Sequence, residues 1–87
     1  METLEEIRET LNGIDQLMAV LFEKRMQQIE KIIAYKKKHA LPIEDVKREM
    51  EIIERNLGYI ESPVYQEYYE KMIRNIIELS KDYQQKQ

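Results

Sequence analysis

The stretch Leu4-Glu-Glu-Ile-Arg-Glu-Thr-Leu-Asn-Gly-Ile-Asp-Gln-Leu-Met-Ala-Val-Leu-Phe-Glu-Lys-Arg-Met-Gln-Gln-Ile-Glu-Lys-Ile-Ile-Ala-Tyr-Lys-Lys-Lys-His39 decides the fold. Leu4, Ile7, Leu11, Ile14, Met18 and Leu21, then Ile32 and Tyr35, recur at alternating steps of three and four, the seam of a long amphipathic helix. The next seam position after Leu21 is Arg25. A charge on an apolar seam costs several kcal/mol unless something pairs with it, so Arg25 calls for a partner, and an anionic ligand is one candidate. Lys36 follows about 20° round the helix and roughly 16 Å along its axis, on the same face as Ile29.

Some 36 residues at about 1.5 Å each reach ~54 Å, whereas a compact chain of this size has a radius of gyration near ~12 Å. Part of the seam therefore needs cover from another chain. Arg8 stands about 25 Å before Arg25 and roughly 100° off its face. The two cannot clasp one small ligand from a single helix, so a ligand role for Arg8 places it in a neighbouring subunit's site.

The rest of the chain is helical as well. Thr3 with Glu6 forms a capping-box pattern ahead of the first helix, over 4–39. Pro42 stops it, and a loop of about 40–44 follows. A second helix spans about 45–57, with Glu44 or Asp45 at its start, the stripe Val46, Met50, Ile53, Leu57, and Gly58 just past its end. Ser62-Pro63 opens a third over about 63–84, with Ser62 as N-cap. Its stripe runs Tyr65, Tyr69, Met72, Ile73, Ile76, Ile77, Tyr83. Gly13 costs about 1 kcal/mol in a helix interior, but the seam stays in phase across it. The reading is one all-α domain over 1–87.

Composition narrows the function. Of 87 residues, 17 are acidic and 14 basic, for a net charge of −3, which excludes the basic footprint of a nucleic-acid binder. Cysteine is absent and only one histidine, His39, occurs, so no disulfide framework, thiol chemistry, metal set or Ser-His-Asp triad is expected. No apolar run approaches ~18 residues and the N-terminus has no basic-then-apolar leader, so the expectation is a soluble cytoplasmic chain with no membrane partner. Lys37, Lys38 and His39 read as a solvated helix end. Asp45, Arg48 and Glu49 in the first turn of the second helix are explicable as capping and surface pairing. Ser80 and Gln84, in contrast, are polar groups on an apolar stripe, and such groups need partners. Cations, amide, hydroxyl and carboxylate groups on helical faces suit a small polar dianion.

The sequence resembles the small all-helical, AroQ-class chorismate mutases over nearly its whole length. The likeness runs through Ile7-Arg8, Ile14-Asp15, Lys24-Arg25-Met26, Tyr35-Lys36, Leu41-Pro42-Ile43-Glu44-Asp45, Arg48-Glu49, and Ser80 with Gln84. Arg8, Arg25, Lys36, Asp45, Arg48, Glu49, Ser80 and Gln84 match the polar positions of that family's site, in order. The resemblance implies an intertwined homodimer of three-helix protomers in which Arg8 crosses into the partner's pocket. It also implies conversion of chorismate to prephenate, a pericyclic step that needs no cofactor. Arg8, Arg25 and Arg48 would hold the two carboxylates, with Ser80 assisting. Glu49 and the backbone around Asp45 would hold the ring hydroxyl, and Lys36 with Gln84 would meet the ether oxygen. With no room in 87 residues for a dehydratase, dehydrogenase or regulatory domain, the expectation is a monofunctional mutase or a catalytic domain that works beside a separate enzyme. Two other readings stay open. An isochorismate-pyruvate lyase would release pyruvate from isochorismate, although retention of Glu49 and Gln84 favours the mutase. A non-catalytic helical dimerisation module would use Arg25 only to set register.

Overall fold

The computed structural model describes residues 1–87 as three helices and no strands: α1, Leu4–His39; α2, Val46–Leu57; α3, Pro63–Gln85. Thr3 caps α1 by accepting a hydrogen bond from the Glu6 N–H at 3.2 Å, and α1 runs unbroken through Gly13. It ends in a left-handed residue, Ala40, at φ 54° and ψ 43°. The Leu41 N–H then reaches back to the Lys36 carbonyl at 2.9 Å, closing a Schellman-type end.

Asp45 caps α2, its side chain accepting from the Arg48 N–H at 3.0 Å, so the helix starts one residue later than the periodicity suggests. Gly58 keeps right-handed helical geometry instead of taking a left-handed cap. At α3, Ser62 makes no side-chain cap, against expectation; its carbonyl accepts from the Tyr65 N–H at 3.1 Å, and Pro63 at N1 needs no donor partner.

The polar pairs fix how the helices lie. Tyr69 meets Asn56 at 3.5 Å and Lys81 meets Glu49 at 2.8 Å, so α2 and α3 run antiparallel. Arg25 meets Ser80 at 2.6 Å and Lys37 meets the Gln87 carbonyl at 3.0 Å, so α1 and α3 run in the same sense. Helix α3 packs against both α1 and α2, while α1 and α2 do not pack against each other. That leaves a cleft between them with α3 as its floor.

The apolar stripes face inward over part of their length, as expected for Ile53 and Leu57 in α2 and for Tyr69, Ile73, Ile76, Ile77 and Tyr83 in α3, but not throughout. In α2, Val46 and Met50 are 58% and 65% exposed, and the inward face is Glu49, Ile52, Ile53, Asn56 and Leu57. In α3, Tyr65 and Met72 lie outside, and the buried row is Ile73, Ile77, Ser80 and Gln84. The difference has one physical cause: the helices pack around a polar-lined cleft, so polar residues occupy positions that a core would give to Val46 or Met50.

Within the single chain only Ile29, Ile73 and Ile77 are buried apolar residues. At about 1.5–3 kcal/mol each, three such side chains fall far short of the entropy of ordering a chain this long. The seam from Leu4 through Leu21 is exposed along its whole length, and the molecule measures 56 × 25 × 16 Å with a radius of gyration of 16.3 Å. No helix is long and apolar enough to cross a membrane.

The Ala40 geometry gives a direct test. A left-handed residue with a Cβ is strained by about 1–2 kcal/mol, partly offset by the greater unfolded-state freedom of glycine. Ala40→Gly is expected to stabilise the fold by about 0.5–1 kcal/mol, read by urea unfolding at a fixed chain concentration; a loss of stability would contradict it.

Candidate active site

Between α1 and α2, over α3, lies a cavity of about 240 Å³. Helix α1 presents Arg25, Ile29, Ile32 and Lys36 to it, the i, i+4, i+7, i+11 positions of one face. The α1–α2 loop adds Ile43, and the α2 start adds Asp45, Arg48, Glu49 and Ile52. Helix α3 adds Ile77, Ser80, Lys81 and Gln84 along its inner row. The isoleucines form apolar patches between the polar groups that dominate the lining.

Arg25 donates to the Ser80 hydroxyl at 2.6 Å. That hydroxyl donates in turn to the Ile76 carbonyl at 2.9 Å, so its proton is committed and its lone pair faces the guanidinium. Lys36 donates to the Ile43 carbonyl at 2.8 Å and to the Gln84 amide oxygen at 3.5 Å. An ammonium has only donors, so it fixes the Gln84 amide with its oxygen toward Lys36 and leaves its NH2 free to donate. Ser80 and Gln84 are 4% and 8% exposed, and no buried side-chain polar atom in the chain lacks a partner.

The charges do not balance. Neither Arg25 nor Lys36 has a carboxylate within 4 Å, and Arg48 has only the half-exposed Glu51 at 3.9 Å. Burial, and then the nearby Arg48 charge, lower the Arg25 pKa, with Tyr69 opposing. An anion seated beside the guanidinium would counter the Arg48 repulsion and favour the cationic form of Arg25.

Seven of the eight polar positions singled out in the sequence line this one cavity: Arg25, Lys36, Asp45, Arg48, Glu49, Ser80 and Gln84. Arg8 does not; it lies on the exposed N-terminal part of α1, and nothing in its own chain carries it to the cleft. Lys81 escaped the sequence reading, though its signal was present: it falls four residues after Ile77 and three before Gln84, on the inner row. No group of three or more His, Asp or Glu side chains is placed to hold a metal ion.

The profile of the chorismate mutase type II family matches residues 7–85. The chain belongs to that family. It is therefore a chorismate mutase domain of the all-helical type, and the family's enzymes are isomerases. No curated protein and no solved structure matches it.

The Arg25–Ser80 contact makes a second prediction. Ser80→Ala removes a buried acceptor from a charged donor, an interaction worth about 1.5–3 kcal/mol. Chemical denaturation is expected to show a loss of about 1–2 kcal/mol, smaller when a bound dianion takes over the guanidinium. An unchanged midpoint would mean that the bond contributes nothing.

Proposed function

We propose that this cleft binds chorismate and rearranges it to prephenate, with a second copy of the chain completing each site. The observation that supports this most is the pair of cations without carboxylate partners, Arg25 and Lys36, held beside the free donors of Gln84 in one cavity. At about 240 Å³ the cavity is below the ~300–1,000 Å³ usual for drug-sized ligands. That favours a small metabolite carrying two negative charges.

The reaction breaks a C–O bond and forms a C–C bond within one molecule, so no atom enters or leaves. The first task is to hold the enolpyruvyl arm over the ring, which removes conformational freedom before the step. Arg25 and Arg48, with Arg8 of the partner subunit, grip the two carboxylates with planar forks suited to them, and Ser80 sets the angle of the Arg25 fork. Glu49 and the backbone at Asp45 hold the ring hydroxyl.

The second task is to meet the charge that grows on the ether oxygen as its bond to carbon breaks. Lys36 supplies a full positive charge and Gln84 a neutral N–H, both fixed in place before reaction by their mutual contact and by the Ile43 carbonyl. Neither donor must give up a proton, so the chemistry runs at neutral pH.

A second copy answers two needs at once. The exposed row Leu4, Ile7, Leu11, Ile14, Met18, Leu21 lies where the single chain offers nothing to cover it, and Arg8 sits on the same segment. Pairing these segments between chains buries the row and carries Arg8 toward a neighbouring cleft.

Incubation with chorismate is expected to give acid-labile prephenate, and release of pyruvate from isochorismate without prephenate from chorismate would overturn the mutase reading. Lys36→Ala and Gln84→Ala are each expected to lower kcat by about 10² to 10³, the usual effect of losing one such donor. Gln84→Glu should recover activity only at acid pH, because a carboxylate must be protonated to donate; a pH-independent loss would count against its role. Sedimentation should find a dimer whose melting temperature rises with concentration. Arg25→Ala should remain dimeric yet lose most activity, whereas a scaffold would lose nothing.

A further inference from the structure

Lys81 sits in the cavity wall, 17% exposed, and touches three carboxylates: Glu49 of α2 at 2.8 Å, Glu78 of α3 at 3.0 Å, and Glu44 of the α1–α2 loop at 3.5 Å. Glu44 and Glu78 are themselves well exposed, at 64% and 69%, while Glu49 is 18% exposed and lines the cavity with Arg25 and Arg48. The cavity therefore contains a carboxylate and two guanidinium groups that would pair if free to do so. They do not: Glu49 faces Lys81, and Arg25 has no carboxylate within 4 Å. Adjacent positions on a helix point apart, which separates Glu49 from Arg48 but gives no protection against Arg25 on α1.

We propose that Lys81 is a positioning residue that prevents the site from neutralising itself: it holds the Glu49 carboxylate in the α3-side wall and so leaves the cavity's arginines free for an anionic ligand. Glu44 and Glu78 have the supporting part. By gripping the ammonium from the loop and from α3, they keep it where it meets Glu49 instead of entering the cavity as another cation. Glu49 first and then Glu78, by hydrogen bonding to the ammonium, hold the Lys81 pKa well above the ordinary lysine range, so the clamp stays charged. This rests on the mutase reading, with chorismate as the anion.

The test is a pair of substitutions read through KM, with folding followed by circular dichroism. Lys81→Met releases Glu49 toward Arg25 and is expected to raise KM for chorismate about tenfold, the scale of one weakened charge-assisted contact. Glu49→Gln alone weakens the contact to the ring hydroxyl and raises KM by itself, but it also removes the competing charge, so the double variant is expected to have a KM at least about threefold below the product of the two single increases. Lys81→Arg keeps the cation and should stay within about threefold of the parent. A double variant whose KM increase equals or exceeds the product of the two single increases would overturn the proposal, because independent losses are additive in free energy. Should Lys81→Met fail to fold, Lys81→Gln, a neutral donor, takes its place with the same expectations. A parent chain that leaves chorismate unchanged sinks the mutase reading and this one together, whereas an active parent with additive losses sinks only the role of Lys81.

Discussion

The Arg25 guanidinium, half-buried and held to Ser80 with no carboxylate beside it, is the constraint from which the rest of the molecule follows. A cation in that position is tolerable only while its donors are satisfied and its surroundings are not closed over. The fold meets this by keeping α1 and α2 apart and letting α3 carry the contacts to both. The inner rows of α2 and α3 are polar at Glu49, Ser80, Lys81 and Gln84 for the same reason. What a compact three-helix core would gain in burial, this chain forgoes in order to keep a charged cleft.

That arrangement explains the small core. Three buried isoleucines cannot hold an 87-residue chain, and the apolar residues that could have enlarged the core are spread along the free half of α1. The long helix divides its work: residues from Arg25 onward face the cleft, and residues up to Leu21 face outward. The exposed seam and the charged cleft are two faces of one shortage of internal partners. Both follow from putting so much of the chain into a single helix.

Much of this is readable from the sequence. Thr3, Pro42, Asp45 and Pro63 punctuate the helices by well-understood local chemistry, and Ser80 and Gln84 stood out as polar residues on an apolar stripe. Other features resist sequence reasoning. Ala40 takes a left-handed conformation that propensity would give to glycine, because two reaching-back N–H groups stabilise the helix end more than its Cβ strains it. Ser62 has the right chemistry for a cap but contributes its carbonyl instead. Lys81 looks like any lysine between a glutamate and an aspartate near a helix end. Its place on the inner row and its i,i+3 pair with Glu78 are readable from spacing, but Glu44 and Glu49 reach it from the loop and from α2 only through tertiary structure. The first turns of α2 behave in a related way: Val46 and Met50 look like core, yet Glu49 and Ile52 face inward beside Ile53 and Leu57.

The gap between α1 and α2 has a mechanical corollary. Where two helices share no packing, each is held in place by α3 alone, and α2 is free to open away from α1 at lower cost than α3 can leave either. On the proposed function, a dianion bridging Arg25 and Arg48 would act as a rivet. Occupancy becomes a determinant of lifetime, since a protease samples the open form in proportion to its population, and the abundance of the protein would track the supply of the molecule that it consumes.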